Sequence, residues 1–283
     1  MSRFRDEAVV LRAWEWSETS QTVSLLCREG GVRRGLAKGS RRERSPFGGG
    51  FEAATRGEVG GIAKSSSELA TLTDWDLREV YWGLRRSAAG HFGGVYLLEA
   101  VSVSLGAEDP HPAVFDALCV ALGRVGEGDG SAAVAWFLWA LLGEIGSRPV
   151  VGRFGAGGET CALDPSAGRL VEDPGARGAG SEWRVRGTTA AALGLLDGGA
   201  SIDDLWAVAR GAAVGGEAWD AGSGDGGKGA GGTDAGGTGE GMSGEWGSGE
   251  GGSVGRAARL IGAYLSWVTG REIGSGAMYF ARL

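Results

Sequence analysis

Three cysteines in 283 residues, Cys27, Cys119 and Cys161, are too scattered and odd in number to form a disulfide framework, which points to a reducing compartment. The two histidines, His91 and His111, make no CxxC or HxxxH pair with each other or with the thiols. A four-ligand zinc site is therefore not expected, and the cysteines read as core residues. Long apolar runs are missing as well. The longest, Ala132 to Leu142, falls well short of the roughly 20 residues that a membrane helix needs. The opening MSRFRDEAVV carries Asp6 and Glu7 where a secretory leader would be apolar. These absences predict a cytoplasmic protein without a membrane partner. Net positive charge is lacking too: the formal charge is −7. Such a chain cannot coat a polyanion with its whole surface, so any nucleic-acid site must be a local patch.

Catalytic constellations are equally scarce. Neither histidine stands in the glycine-rich strand-end setting of a nucleophile site; His91 falls within a helical pattern and His111 in a proline-rich turn. Gly222 to Gly229 nearly repeats a phosphate-cradling loop. However, Gly229 stands where a Ser or Thr hydroxyl must reach Mg²⁺, and no strand precedes the segment. No pair of residues is placed for acid–base or nucleophilic work. Neither an enzyme nor a bound cofactor is expected.

What is present is organised in two parts. Residues 5–76 read as five short strands. The first is roughly Asp6–Trp14, and the second is Gln21–Cys27, where Val23, Leu25 and Cys27 make one face apolar. Glu29-Gly30-Gly31 turns the chain into Val32–Lys38. The loop Gly39–Gly50 leads to strands near Phe51–Ile62 and Leu69–Trp75. Five strands in this length suit a small closed barrel such as an OB-fold, with half of a sandwich as the alternative. Beyond Trp82 the period changes to three or four, through Leu84, Ala88, Phe92, Val95, Leu98, Val101 and Leu105. A second helix is marked by Val114, Leu118, Leu122 and Val125. A third, capped by Ser131, runs to Ile145. Later helices are read over 188–196, over 202–214 behind the Ser201/Asp204 pair, and over 256–268. The fold class is therefore α+β and multidomain, with a barrel over 1–82 and a mainly helical part over 83–283. Residues 150–186 are turn-rich. The stretch 221–253, with 16 glycines among 33 residues, reads as a disordered insertion.

One segment breaks the acidic pattern. Arg28, Arg33, Arg34, Lys38, Arg41, Arg42 and Arg44 are opposed only by Glu29 and Glu43. That gives +5 locally in a chain of −7. Cations fixed along a strand and the loop after it are what phosphate-backbone binding by counterion release requires. A solvated charged face is the bland alternative. Arg33, Arg34, Lys38, Arg41, Arg42 and Arg44 are the expected phosphate contacts, and Phe47 is expected to stack on a base. Trp136 and Trp139 lie on helical faces and read as core. Trp14 and Trp16, nearer the barrel, stay open between core and binding. By residue chemistry alone the readings are a nucleic-acid binder, a protein–protein adaptor whose basic loop docks an acidic partner, or an OB-type RNA-binding module.

Several of these residues also carry a resemblance. Ala8-Val9-Val10-Leu11, then Trp16-Ser17-Glu18-Thr19-Ser20, then Val23-Ser24-Leu25-Leu26 run into Gly31-Val32-Arg33-Arg34-Gly35-Leu36-Ala37-Lys38-Gly39-Ser40-Arg41-Arg42. Ser45, Phe47-Gly48-Gly49 and Leu72-Thr73-Asp74 follow, and more loosely Leu163–Gly168 and Gly270–Ser275. Together they resemble RecO, the bacterial recombination mediators. The resemblance implies an N-terminal OB-fold and a helical C-terminal domain with a zinc-finger-like loop. It also implies work in RecF-pathway repair: binding single- and double-stranded DNA, annealing complementary strands, and acting with RecR to help RecA onto DNA covered by single-strand-binding protein. Two departures stand out. Many members carry four zinc cysteines around residues 150–186, where this chain has only Cys161, so the loop is degenerate and the metal is not carried over. The glycine-rich stretch has no counterpart.

Overall fold

The computed structural model describes residues 2–63, 67–127, 130–175, 181–211 and 252–281. Its first 80 residues form five strands: β1 (Ser2–Ser17), β2 (Ser20–Cys27), β3 (Gly31–Ala37), β4 (Thr55–Ala63) and β5 (Ala70–Val80). They close on themselves in the order β1-β2-β3-β5-β4, with β1 also pairing with β4. Every contact is antiparallel except β3 with β5. Closure follows from strand alternation. Ala8, Val10, Val23, Leu25, Cys27, Val59, Leu72 and Trp75 share one side of their strands and fill the interior. The expected fourth strand begins later than the sequence suggested, because Phe51 to Ala54 belong to the incoming loop.

The chain then turns helical through a 3-10 turn (Trp82–Arg85), α1 (Ala88–Ser104), α2 (Pro112–Val125) and α3 (Ser131–Glu144). The run expected as one helix from Leu84 is broken at Ser87, whose hydroxyl accepts the Gly90 N–H and starts α1 afresh. Ser131 does not cap α3. It is buried in the first turn, and Gly130 occupies the cap position. Trp136 and Trp139 do pack into the helical core.

Residues 150–175 and 181–186 hold more regular structure than a turn-rich loop would. They hold a three-stranded sheet, β7-β6-β8, made from β6 (Cys161–Asp164), β7 (Arg169–Glu172) and β8 (Trp183–Val185). Cys161, Leu163, Leu170, Trp183 and Val185 anchor it in the main hydrophobic cluster. After α4 (Gly187–Asp197) comes α5 (Ile202–Ala209), with the expected Ser201/Asp204 reciprocal cap. It ends earlier than the sequence suggested. The near match to a phosphate loop at 222–229 lies outside the described residues, as does 221–253 apart from its last two residues. Ser253 already begins α6 (Ser253–Thr269), and α7 (Gly276–Phe280) closes the described chain. The Gly270–Ser275 segment between them is pinned by Glu99 of α1, whose carboxylate accepts the N–H groups of Gly274 and Ser275 at 3.1 and 2.9 Å.

The barrel is joined to the helices by its outer wall. Val9, Leu11 and Leu26 point outward and enter the same hydrophobic cluster as Leu97, Val101 and Leu118. Gly31, at φ +66°, meets the backbone of Asp109 so closely that a Cβ would lie 2.2 Å from its carbonyl oxygen. Glu108 N–H donates to Val32 O at 3.0 Å, and Arg28 grips Asp116 of α2 through two nitrogens, at 3.1 and 2.7 Å. This pairing holds the Asp116 carboxyl below its usual range.

Candidate nucleic-acid interface

The register of β1, β2 and β3 decides which basic residues share a face. Arg12 stands opposite Ser24, and Ser24 opposite Arg34; in the next outward row Trp14, Thr22 and Leu36 line up. Residues directly across strands point the same way. Arg12 and Arg34 therefore flank Ser24 on the outer wall, roughly 10 Å apart at the backbone. Further along the same side of the chain lies exposed Lys38, one residue beyond β3.

The loop that follows is built rather than loose. Gln21, only 3 % exposed, accepts the Phe51 N–H and the Ser40 hydroxyl at its amide oxygen. Its amide nitrogen donates to Phe51 O, all three bonds at 3.0 Å. Arg41 N–H reaches Thr19 O at 3.1 Å, and Ser45 Oγ donates to Ser40 O at 2.8 Å. Gly48, Gly49 and Gly50 all take positive φ, which lets the chain double back. Phe47 and Phe51 are then driven into the end of the barrel, their rings 5.7 Å apart, with Phe51 lying 5.0 Å from Trp75. Arg42 and Arg44 remain on the exposed side of this plug.

The structure does not treat the expected site residues alike. Arg34, Lys38, Arg42 and Arg44 are exposed, and among the described residues no salt bridge engages any of them. Arg41 is exposed but bound to Glu15 at 2.7 Å. Arg33 faces the other way. It pairs with interior Leu25, lies 4.8 Å above the Phe4 ring, and its Nε donates to Gly30 O. Arg28, part of the local charge count, is spent on Asp116. The expectation for Phe47 is corrected: at 2 % exposure its ring is a core side chain and has no face free for a base.

Sequence reasoning missed Arg12 and left Trp14 and Trp16 open. Arg12 shares the outer wall with Arg34, and its guanidinium carbon lies 5.0 Å from the centre of the Trp14 ring. Trp14 is 38 % exposed and Trp16 63 %. Strict alternation would have put Arg12 on the interior face with Val10; a bulge between Val10 and Arg12 shifts the register, so that Ala13 points inward and Arg12 and Trp14 point outward. Elsewhere the polar clusters are structural. His111 bridges Glu144 and Asp109 at the start of α2. Among the described residues no group of three or more His, Cys, Asp or Glu could hold a metal ion, and no helix is long and apolar enough to cross a membrane.

Residues 1–81 match the family model for the N terminus of recombination protein O, and residues 91–208 the model for its C terminus. A DNA repair protein RecO of Rhodopirellula baltica is 33% identical over 147 residues, 52% of this chain and 54% of that protein. One from Salinibacter ruber is 32% identical over 151 residues, 53% and 58% of the two chains. The stretch shared with each of these relatives is thus little more than half their length. The two family models follow one another over the barrel and over the helical part as far as residue 208, well over half of the chain, and the chain belongs to the RecO family.

Proposed function

We propose that this chain is a non-enzymatic recombination mediator of DNA repair, in which the outer β1-β2-β3 wall and the β3–β4 loop hold DNA by its phosphates. One observation carries the reading. In an acidic molecule, Arg34, Lys38, Arg42 and Arg44 lie on one strand and the loop after it without carboxylate partners among the described residues, on a backbone fixed by Gln21. The barrel reads as an OB-fold. Its five strands close in the order β1-β2-β3-β5-β4, and the outer side of strands 2 and 3 is where such barrels take oligonucleotides. The division into a DNA-binding unit over 1–82 and a RecO-like helical unit over 83–283, with a degenerate zinc-finger-like loop at 150–186, belongs to this proposal.

Phosphate contacts carry no sequence information, so the surface serves single and double strands of any sequence. Annealing then needs only two neutralised strands whose bases stay free to pair. Family membership supports the further roles: cooperation with RecR, and assistance to RecA on single strands covered by single-strand-binding protein. Those steps would take place in the cytoplasm.

The test is salt dependence followed by annealing. With Arg12 as a fifth contact, the slope of log K against log salt for a single strand should be about −3.5. Replacing Arg34, Lys38, Arg42 and Arg44 together by Ala should reduce its magnitude to about 1 or less, weaken all sequences alike, and abolish annealing of complementary strands coated with single-strand-binding protein. An unchanged slope would place the DNA elsewhere.

A further inference from the structure

The cationic wall does not end at the barrel. It opens into a cleft of about 1640 Å³ between the barrel and the helical part. Arg12, Trp14, Ser24 and Arg34 form its barrel side; Val95 and Leu98 of α1 line the opposite side, with Arg271 and Met278 beyond them. Trp14 thus stands where a charged surface meets a recess of mixed lining, in which Val95 and Leu98 lie beside Glu99 and Glu108. Its indole is partly exposed although it is one of the largest apolar side chains, and the Arg12 guanidinium lies over one face of the ring at 5.0 Å, which leaves the opposite face for a base. Trp16, two residues further along β1, is more exposed still. A buried role explains neither ring.

We propose that Trp14 is a base-stacking site at the mouth of this cleft, which makes the surface prefer an unpaired nucleic-acid strand over a duplex. The physical reason is geometric. Phosphates of either form can lie along Arg12, Arg34 and Lys38, but only a strand with splayed bases has a free π-face to lay on an indole. Such stacking tolerates any base, because every base has a face. Val95 and Leu98 in the recess offer a stacked base apolar contact, and its carboxylates keep the phosphates outside, on Arg12. Trp16 extends the platform outward. The inference rests on the cationic wall being a strand-binding surface, and it adds the discrimination that phosphate contacts alone cannot provide.

The experiment uses the full chain and measures anisotropy of labelled oligothymidylate, oligouridylate and a blunt duplex. Trp14→Ala should weaken both single-stranded probes by roughly tenfold and leave the duplex within about twofold. Trp14→Phe should restore most of the loss, because a smaller ring still stacks. Loss of oligothymidylate binding with oligouridylate binding retained would overturn the base-tolerant stacking proposed here. Equal loss on single strand and duplex, or no loss on either, would overturn the stacking role. The combined Arg34, Lys38, Arg42 and Arg44 variant distinguishes the two levels. If it loses all probes while Trp14→Ala loses none, the phosphate surface stands and only the stacking proposal falls. If polyglutamate displaces oligothymidylate as well as unlabelled strand does at equal charge, the wall is an acidic-peptide dock and the base-stacking site is refuted.

Discussion

Phe47 and Gln21 show how a basic loop can be rigid without carrying its stiffness in its charges. The Phe47 ring fills the end of the barrel, so Phe47→Ala should cost about 3–5 kcal/mol of stability. It should leave the salt slope of strand binding unchanged wherever the variant is folded. Chemical denaturation alongside anisotropy checks both halves, and a flattened slope would mean that the ring touches DNA after all. Gln21→Ala leaves the buried Phe51 N–H without its acceptor, a loss of about 1–3 kcal/mol. Its effect should be local, seen first as faster proteolysis within residues 39–50. Titration adds an independent check on the interior. Burial raises the Cys27 thiol to about 12 and the Cys161 thiol to about 11, both above the ordinary value of 9.0. In the native protein both stay protonated at pH 8 and should resist thiol reagents until the protein unfolds. The sign for stability follows from linkage. The neutral thiol is the form the fold favours, so this contribution is intact below pH 9. It declines as pH rises from 9 toward 12, at about 1.4 kcal/mol per unit for each thiol while its folded form keeps the proton.

Among the elements, those with a clear period were legible and those held by distant packing were not. The alternation of Val23, Leu25 and Cys27 placed β2 within a residue, and the three-to-four spacing from Val114 to Val125 placed α2 as well. The cation row was also visible, because four arginines and lysines on one strand and its loop need no tertiary knowledge to be noticed. What alternation could have given, and charge counting obscured, is the side each residue faces. Arg33 and Arg34 are neighbours in sequence and look in opposite directions. Phe47 looked exposed because glycines and arginines surround it, whereas its burial depends on Trp75 from β5, which is remote in sequence. The strands β6, β7 and β8 are three or four residues long, too short to show a period. They exist because Leu163, Leu170 and Trp183 reach a core made by other elements. That dependence yields a prediction. If packing alone holds this sheet, a strong chelator should leave the thermal transition unmoved, and added zinc should not raise it. A chelator-induced fall in Tm would mean that the sheet is held by metal.

At the level of the whole molecule, the barrel keeps an interior cluster of its own but its outer wall enters the apolar cluster of the helices, so the two parts should share one unfolding transition. Leu26 belongs to β2 by its backbone, yet its side chain is fully buried among α-helical residues. Val9 and Leu11 do the same from β1. The cleft that carries Trp14 is shaped by these contacts, which set the barrel against α1, so the stability of the joint and the shape of the proposed binding surface have a common cause. Leu26→Ala should remove about 2–5 kcal/mol. Because the cavity lies in the shared cluster, the loss should appear equally in the helical circular-dichroism signal and in near-ultraviolet signals from the barrel. Coincident transitions, both shifted down, are the expected result. Two separated transitions, with only the barrel signal moving, would show the halves to be independent. The cleft would then be a variable gap rather than a built groove, and Trp14 would lose the fixed wall against which a base is meant to stack.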